Sequence, residues 1–344
     1  MSELNVSCVT VCFGGLTAVN EVDFCLKPGQ ICALIGPNGA GKTTVFNAIT
    51  GVYEPTAGQI CFDGKPIQRP LTPGAWGSFV LAGLACGLGL TGAFNIEALW
   101  EAGITANYVY QQPFPWGQIP SALVACLREQ PMNYTAGVFG FGFVLGGAAV
   151  AAMWMRSRRT PEYVSSTGIA RTFQNIRLFP EMTALENVLV GMHGGLRTRL
   201  WHAALRLPLY WREQKTSNAK GREILTFVGL DGCENRVADS LAYGHQRRLE
   251  IARALAGEPK VLLLDEPAAG MNPSETADLM GLIRKIRDTG IAVLLIEHDM
   301  KLVMGVSDRV IVLDYGNKIA EGTPEEVKRD PKVTAAYLGE PEPA

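Results

Sequence analysis

The stretch Ile31-Cys32-Ala33-Leu34-Ile35-Gly36-Pro37-Asn38-Gly39-Ala40-Gly41-Lys42-Thr43-Thr44-Val45-Phe46-Asn47-Ala48-Ile49 decides the fold. Its first five residues form a short apolar run that predicts a strand, and Lys42 to Ile49 spaces its apolar residues as a helix does. Between them, Gly36 to Thr43 fits GxxxxGK[ST]. In such a loop successive backbone N–H groups wrap a phosphate at the helix N-terminus. Lys42 adds a point charge for the β and γ oxygens, and the Thr43 hydroxyl can ligate magnesium. Glycine is required because a Cβ would block the approach. The strand before the loop and the helix after it are the context that makes the match specific.

Working outward, Asn5 to Val11, Val19 to Leu26 and Gln59 to Phe62 also read as strands, since each is a short β-branched run between turns. Further on, Val261 to Leu264, Ile291 to Ile296 and Val310 to Leu313 are apolar strand runs alternating with helical patterns, the mark of an α/β fold. The run from Val261 ends in Asp265-Glu266-Pro267. A buried strand ending in two carboxylates can place Asp265 on magnesium, through water, and Glu266 on the attacking water.

The 31 basic and 33 acidic residues give no electrostatic footprint for nucleic acid, so none is expected as a partner. The 8 cysteines lie in apolar runs without a CxxC pair, which reads as small buried hydrophobes in a reducing compartment. The Met1-Ser2-Glu3-Leu4 start has no basic segment followed by an apolar core, so no cleavable signal is expected and the N-terminus should be cytoplasmic.

At this point the chain resembles the ATPases of ABC transporters. Leu241-Ala242-Tyr243-Gly244-His245-Gln246-Arg247-Arg248, followed by Leu249 to Leu255, is similar to the family's LSGGQ signature and its helix. Ala242 stands where serine is usual, Tyr243 for the first glycine and His245 for the glutamine, while Gly244 is kept. The resemblance implies that Ala242, Tyr243, Gly244 and His245 cap ATP held by an opposite subunit, using backbone amides and the helix N-terminus. It implies that Gln174, in Arg171-Thr172-Phe173-Gln174-Asn175, is the glutamine that reports on magnesium and on the permease. It implies that His298, in Ile296-Glu297-His298-Asp299-Met300, contacts the γ-phosphate, and that Phe13 stacks on adenine. Asn272 occupies a position where the family usually has aspartate.

The expected sites follow. Lys42, Glu266 and His298 are catalytic. Phe13, Gly36, Pro37, Asn38, Gly39, Ala40, Gly41, Lys42, Thr43 and Thr44 bind ATP. Thr43, Gln174 and Asp265 hold Mg2+. The resemblance covers about residues 4 to 67 and 162 to 341, and implies a P-loop ABC cassette with a mixed sheet core, an antiparallel β subdomain and a helical subdomain over about 175–255. It is closest to ATPases of branched-chain amino acid uptake, through Arg171 to Phe179 and Glu266 to Pro273. The implied partners are a second ATPase chain, two permease subunits and, indirectly, a periplasmic binding protein, at the cytoplasmic face of the bacterial inner membrane. Urea or amide import, an ABC ATPase without a permease, and a non-hydrolysing scaffold are the alternatives.

One region departs from this pattern. No charge occurs between Arg69 and Glu97 or from Gln130 to Met155. Residues 71–155 therefore read as an insertion between ATPase parts at 1–70 and 156–344. Trp76 to Phe94 and Tyr134 to Met155 each approach the ~20 apolar residues that span hydrocarbon as helix. Gly83 with Gly87, and Gly142 with Gly146, have the small-residue spacing of closely packed helices. Lys65 and Arg69 precede the insertion, Arg156, Arg158 and Arg159 follow it, and Arg128 is the one basic residue between the spans, so both ends should be cytoplasmic. Few residues separate the spans from the ATPase parts, so the tether should be short. A buried apolar subdomain or partner-covered hairpin is the alternative. Leu196 to Trp211, leucine-rich with Arg197, Arg199, Trp201 and Arg206, could be a helix facing lipid, permease or solvent.

Overall fold

In the computed structural model, residues 3–338 are described apart from Val109, Gln112, Gln118, Gln130, Arg197, Arg199, Leu200, Trp201 and Ala203. They form two compact units, Met1–Gln68 with Arg159–Ala344, and Arg69–Arg158.

The first unit is built on two sheets. β1 (Leu4–Phe13) and β2 (Leu16–Leu26) form an antiparallel hairpin, and β4 (Ala57–Phe62) and β5 (Lys65–Pro66) extend it in the order β2-β1-β4-β5. Buried and exposed residues alternate along β1, as expected of a sheet with one covered face. β3 (Ile31–Ile35), β7 (Val261–Asp265) and β8 (Ala292–Ile296) are buried at every residue, the pattern of parallel strands covered on both faces. With β6 (Ile169–Arg171), β9 (Arg309–Asp314) and β10 (Asn317–Gly322) they form the second sheet, ordered β10-β9-β3-β8-β7-β6. Every pairing in it is parallel except β9 with β10, so the sheet is mixed.

Helix α1 (Lys42–Ile49) follows β3 and buries Val45, Phe46 and Ile49 in a core shared by both sheets. α6 (Pro161–Ser166) precedes β6. Next come α7 (Ala184–Met192), α8 (Pro208–Phe227) and α9 (Tyr243–Leu255), which pack around Val188, Leu225, Leu249 and Ile251. α10 (Pro273–Asp288) and α11 (Met300–Val306) flank β8, and α12 (Pro324–Arg329) and α13 (Pro331–Leu338) end the described chain. A continuous helix over Leu196 to Trp211 does not form. Leu207 is extended, as a residue before proline tends to be, and a new helix begins at Pro208. Arg197, Arg199 and Trp201 lie outside the described residues.

The second unit is helical. α2 (Pro73–Phe94) is capped by Thr72, whose hydroxyl accepts from the Ala75 N–H at 3.3 Å. α3 (Ile96–Trp100) runs into a π turn at Glu101–Thr105, and α4 (Ile119–Glu129) precedes α5 (Met132–Arg156). The three shorter helical pieces between the long helices are absent from the sequence reading; two of them, at five residues each, are too short to show a period. The side chain of Arg128 lies outside the described residues. α2 and α5 meet through glycine: a Cβ on Gly142 would lie 2.8 Å from the Gly87 Cα, and one on Gly146 2.5 Å from the Ala82 carbonyl. Gly83 and Gly87 in turn receive the rings of Phe143 and Phe139. The base of the unit is closed by the Arg69 N–H donating to the Arg158 carbonyl at 2.7 Å.

Candidate functional site

The carboxyl ends of β3, β6, β7 and β8 and the loops that leave them carry the expected phosphate-loop, magnesium and catalytic residues, which is where open parallel sheets place their ligands. At the end of β3, Gly36 and Gly41 take φ of 154° and 95°. A Cβ on Gly36 would lie 2.1 Å from the Leu313 carbonyl oxygen, and one on Gly41 2.6 Å from that of Ala18, so only glycine fits either position. Asn38 and Gly39 are exposed at the tip of the loop, and Pro37 and Ala40 are drawn inward. Gly41 is the N-cap of α1, no side chain caps the helix, and its first turn contains no acid. Its first N–H groups, with Thr43 exposed and Thr44 half-buried beside them, form a cradle for an anion.

The Lys42 ammonium is inside that cradle. It donates to the carbonyls of Gly36 at 2.7 Å and Pro37 at 2.8 Å, and the residue is 6% exposed. Burial lowers its pKa, against the opposing pull of Glu266. A desolvated cation held only by neutral carbonyls is poised for a polyanion. The loop therefore fits a nucleotide's phosphates.

Three expected residues from three strand ends come together. Glu266 follows β7 in the left-handed region, with φ of 46° and its N–H bonded to the Ile296 carbonyl at 2.9 Å. A glutamate there is strained, and such outliers persist where the surroundings hold them. Its Oε2 accepts from the Gln174 amide at 2.8 Å, and its Oε1 is 2.5 Å from His298 Nε2. The His298 ring is half exposed while the Glu266 carboxylate is largely covered. Beside them, Glu297 is 4% exposed and accepts from the N–H groups of Ala268 at 2.8 Å and His298 at 3.1 Å. Burial pushes its carboxyl pKa up, and those backbone bonds pull the other way.

Asp265, the last residue of β7, is bound by a residue the sequence reading passed over. Arg171 donates through Nη2 to Asp265 Oδ2 at 2.7 Å and through Nη1 to Asn47 Oδ1 of α1, also at 2.7 Å. Its guanidinium lies over the rings of Phe46, at 5.6 Å, and Phe173, at 5.4 Å. Arg171 thus ties the helix of the phosphate loop to the strand-end carboxylate and to the segment carrying Gln174. Its position three residues before Gln174 is visible in the sequence, whereas the short strand it ends is not. Its partners, 124 and 94 residues away, are not.

The four signature-like residues open α9. Ala242 is its exposed N-cap, and Tyr243 packs on Gly270, where a Cβ would lie 3.3 Å from the ring. Gly244 is buried against Glu275, a Cβ there meeting its carboxylate at 2.7 Å, and His245 is half-buried. Asn272 is the N-cap of α10: Asn272 Oδ1 accepts from the Glu275 N–H at 2.9 Å, and Glu275 Oε2 from the Asn272 N–H at 3.0 Å. Asparagine caps as well as aspartate, so the exchange keeps this capping box intact. Phe13 is 44% exposed and meets Tyr53 edge to face, with centroids 5.0 Å apart. Tyr53 also went unremarked in the sequence, since a lone aromatic in a turn carries no spacing signal.

Comparison with known proteins agrees with this construction. The chain matches the ABC transporter family over residues 19–80 and 153–269, leaving 81–152 outside the match. Residues 317–343 match a second family, described as branched-chain amino acid ATP-binding cassette transporter. The high-affinity branched-chain amino acid transport ATP-binding protein BraF of Pseudomonas aeruginosa is 38% identical over 338 residues, 98% of each chain. The corresponding protein LivG of Escherichia coli K12 is 38% identical over the same span and share. The ADP conformation of MJ1267, an ATP-binding cassette of an ABC transporter, superposes with a TM-score of 0.63 at 24% identity, covering 99% of this chain and 100% of that one. That likeness carries the fold. The phosphate loop, the paired carboxylates and the two-part family match together place this chain in the ABC transporter family, as an ATP-binding cassette and an ATPase.

Proposed function

We propose that this chain energises the import of branched-chain amino acids, binding and hydrolysing ATP on the cytoplasmic side of two permease subunits. The carrying observation is the 38% identity to BraF and LivG along 98% of each chain, with the separate match at 317–343. A second ATPase chain would complete the catalytic unit, and a periplasmic binding protein would deliver the solute.

In this reading Phe13 stacks on adenine, and the loop from Gly36 to Thr44 holds the phosphates with Lys42 on the β and γ oxygens. Thr43, Gln174 and Asp265 offer the hard oxygen donors that suit Mg2+. When bound, Mg2+ neutralises charge on the phosphates. Glu266 orients and deprotonates the attacking water, and it is already held at both oxygens by Gln174 and His298. His298 then contacts the γ-phosphate. Ala242, Tyr243, Gly244 and His245 serve the ATP of the partner ATPase. Phosphoryl transfer to water needs positioning and charge more than covalent help, which is what these contacts supply.

The chain's parts would be an ATPase domain at 1–70 and 156–344, with its helical subdomain near 175–255, and a membrane hairpin at 71–155. α2 and α5 have 22 and 25 residues, ~33 to 38 Å at 1.5 Å per residue, against ~30 Å of hydrocarbon. Their most apolar windows are only 17% and 6% buried, so the apolar surface faces outward. The hydroxyls of Ser78, Thr91 and Thr135 each bond a carbonyl of the preceding turn at 2.7, 2.8 and 3.1 Å, as hydrocarbon requires. Basic residues at both ends favour a cytoplasmic base.

Uptake of labelled leucine into vesicles carrying the full transporter tests the solute. Uptake that depends on ATP and is abolished by EDTA is expected. Uptake of urea or an amide in place of leucine would overturn the assignment. Alkaline carbonate extraction tests the anchor, and release of the chain expressed without its partners would refute it.

A further inference from the structure

The site contains one fully buried ion pair that the reading above leaves without a task. Arg247 and Glu250 lie one turn apart on α9, with side chains 0% and 1% exposed. Arg247 Nη1 donates to Glu250 Oε2 and to the Phe173 carbonyl, both at 2.7 Å. Its Nη2 donates to the carbonyls of Gln174 at 2.8 Å and Glu266 at 3.4 Å. Glu250 Oε1 accepts from the N–H groups of Phe173 at 3.3 Å and Arg177 at 3.5 Å.

Packing does not explain these charges. Two apolar side chains of similar volume fill such a space at equal or lower cost, because burying an ion pair carries a large desolvation penalty. What the charges add is direction. Charge-assisted hydrogen bonds in a dry interior are strong and fix the atoms they reach. Here they reach backbone of a segment, residues 172–182, that is neither helix nor strand, together with the backbone oxygen of Glu266. Gln174 and Glu266 are joined again through their side chains at 2.8 Å. One helix therefore grips both residues at their backbones, and it is the helix that Ala242, Tyr243 and Gly244 begin.

We propose that Arg247 and Glu250 are a positioning pair, which fastens α9 to the Gln174 segment and to Glu266 so that any displacement of α9 moves the carboxylate that orients the water. The inference rests on the roles proposed for Gln174 and Glu266. Neither member touches substrate. Their effect passes through the backbone they hold.

The test uses the full-length chain in the assembly with which it purifies. Arg247→Met combined with Glu250→Leu removes the grip and leaves no charge stranded. We expect its melting point to stay within about 5 °C of wild type and its KM for ATP within about twofold, while kcat falls at least ~10-fold. Hydrogen exchange at the Phe173 and Arg177 amides should quicken at least ~10-fold, with β7 amides unchanged. Wild-type kcat in this variant, or unchanged exchange at both amides, would overturn the proposal. If the double variant does not fold, Arg247→Lys decides by the same measurements, since it keeps the charge but cannot reach all three carbonyls. Gln174→Ala and Glu266→Gln are measured alongside. If both turn over like wild type, the reading of the site has failed, and amide exchange alone still reports whether the clamp exists.

Discussion

The two units of this chain are both rich in leucine, glycine and alanine, yet they dispose of their apolar residues in opposite ways. In the cassette, every residue of β3, β7 and β8 is buried, and four charged residues that enter the interior, Lys42, Asp265, Arg247 and Glu250, are each bonded to a partner. In the hairpin, glycine is inside and bulk is outside: Gly83 and Gly87 are buried while Leu81, Leu88, Phe141 and Val144 are 65–69% exposed. A fold that answers to water hides its large side chains. The opposite arrangement is the one lipid favours, because close backbone approach is what holds helices together there, and it is what the proposed membrane hairpin requires. On the anchoring proposed above, failure should differ between the units, with chemistry lost from one and membrane retention from the other.

The largest expected effect is on turnover. Glu266→Gln should lower kcat by ~10²- to 10³-fold in a phosphate-release assay, with carbonate extraction unchanged. A variant that also left the membrane would break the contrast. In the hairpin, Gly142→Leu forces a side chain against Gly87 and should cost about 2–3 kcal/mol of overpacking, seen as a lower melting point in detergent. ATP binding by the cassette should survive it. Arg171→Met strips Asp265 and Asn47 of a shared donor. We expect a loss of about 3 kcal/mol, since a buried carboxylate is left unpaired, measured by denaturant titration, together with a weaker apparent Mg2+ affinity in calorimetry. Asn272→Ala removes one cap, about 1 kcal/mol, by the same titration.

The smallest effect concerns pH. Burial pulls the Lys318 pKa down, but its bonds to Asp23 and Glu321 prevail and hold it above the ordinary value. A lysine raised by folding contributes stability that is complete below its unfolded pKa and fades as pH rises through the folded one. Lys318→Met should thus lose a few tenths of a kcal/mol at neutral pH after solvent screening, and the difference from wild type should vanish in strongly alkaline buffer.

Much of this contrast could be read before the structure. A phosphate loop is a local pattern, as its glycines, lysine and threonine are neighbours in sequence and need only a strand before and a helix after. The apolar helices were legible for the same reason, down to the glycine spacing at their contact. What escaped reading was contact at long range. Asn272-Pro273-Ser274-Glu275 is a complete capping signal that could have explained the exchanged aspartate. By contrast, Arg247 and Glu250 look like an ordinary surface pair one turn apart, and nothing in their spacing announces that both are sealed from solvent against Phe173 and Gln174. A helix running on through Leu196 to Trp211, one reading of that leucine-rich stretch, is interrupted at Leu207, ahead of Pro208, where the proline was the plainer signal.

The hydrogen bond from the Arg69 N–H to the Arg158 carbonyl closes the hairpin unit where it begins. Because its entry and exit points are neighbours in space, the detour is topologically a side loop, and Gln68 and Arg159 can be threaded as if they followed one another. Such an architecture is modular in the engineering sense: a segment whose termini meet at that spacing could stand in for the hairpin between the same two residues.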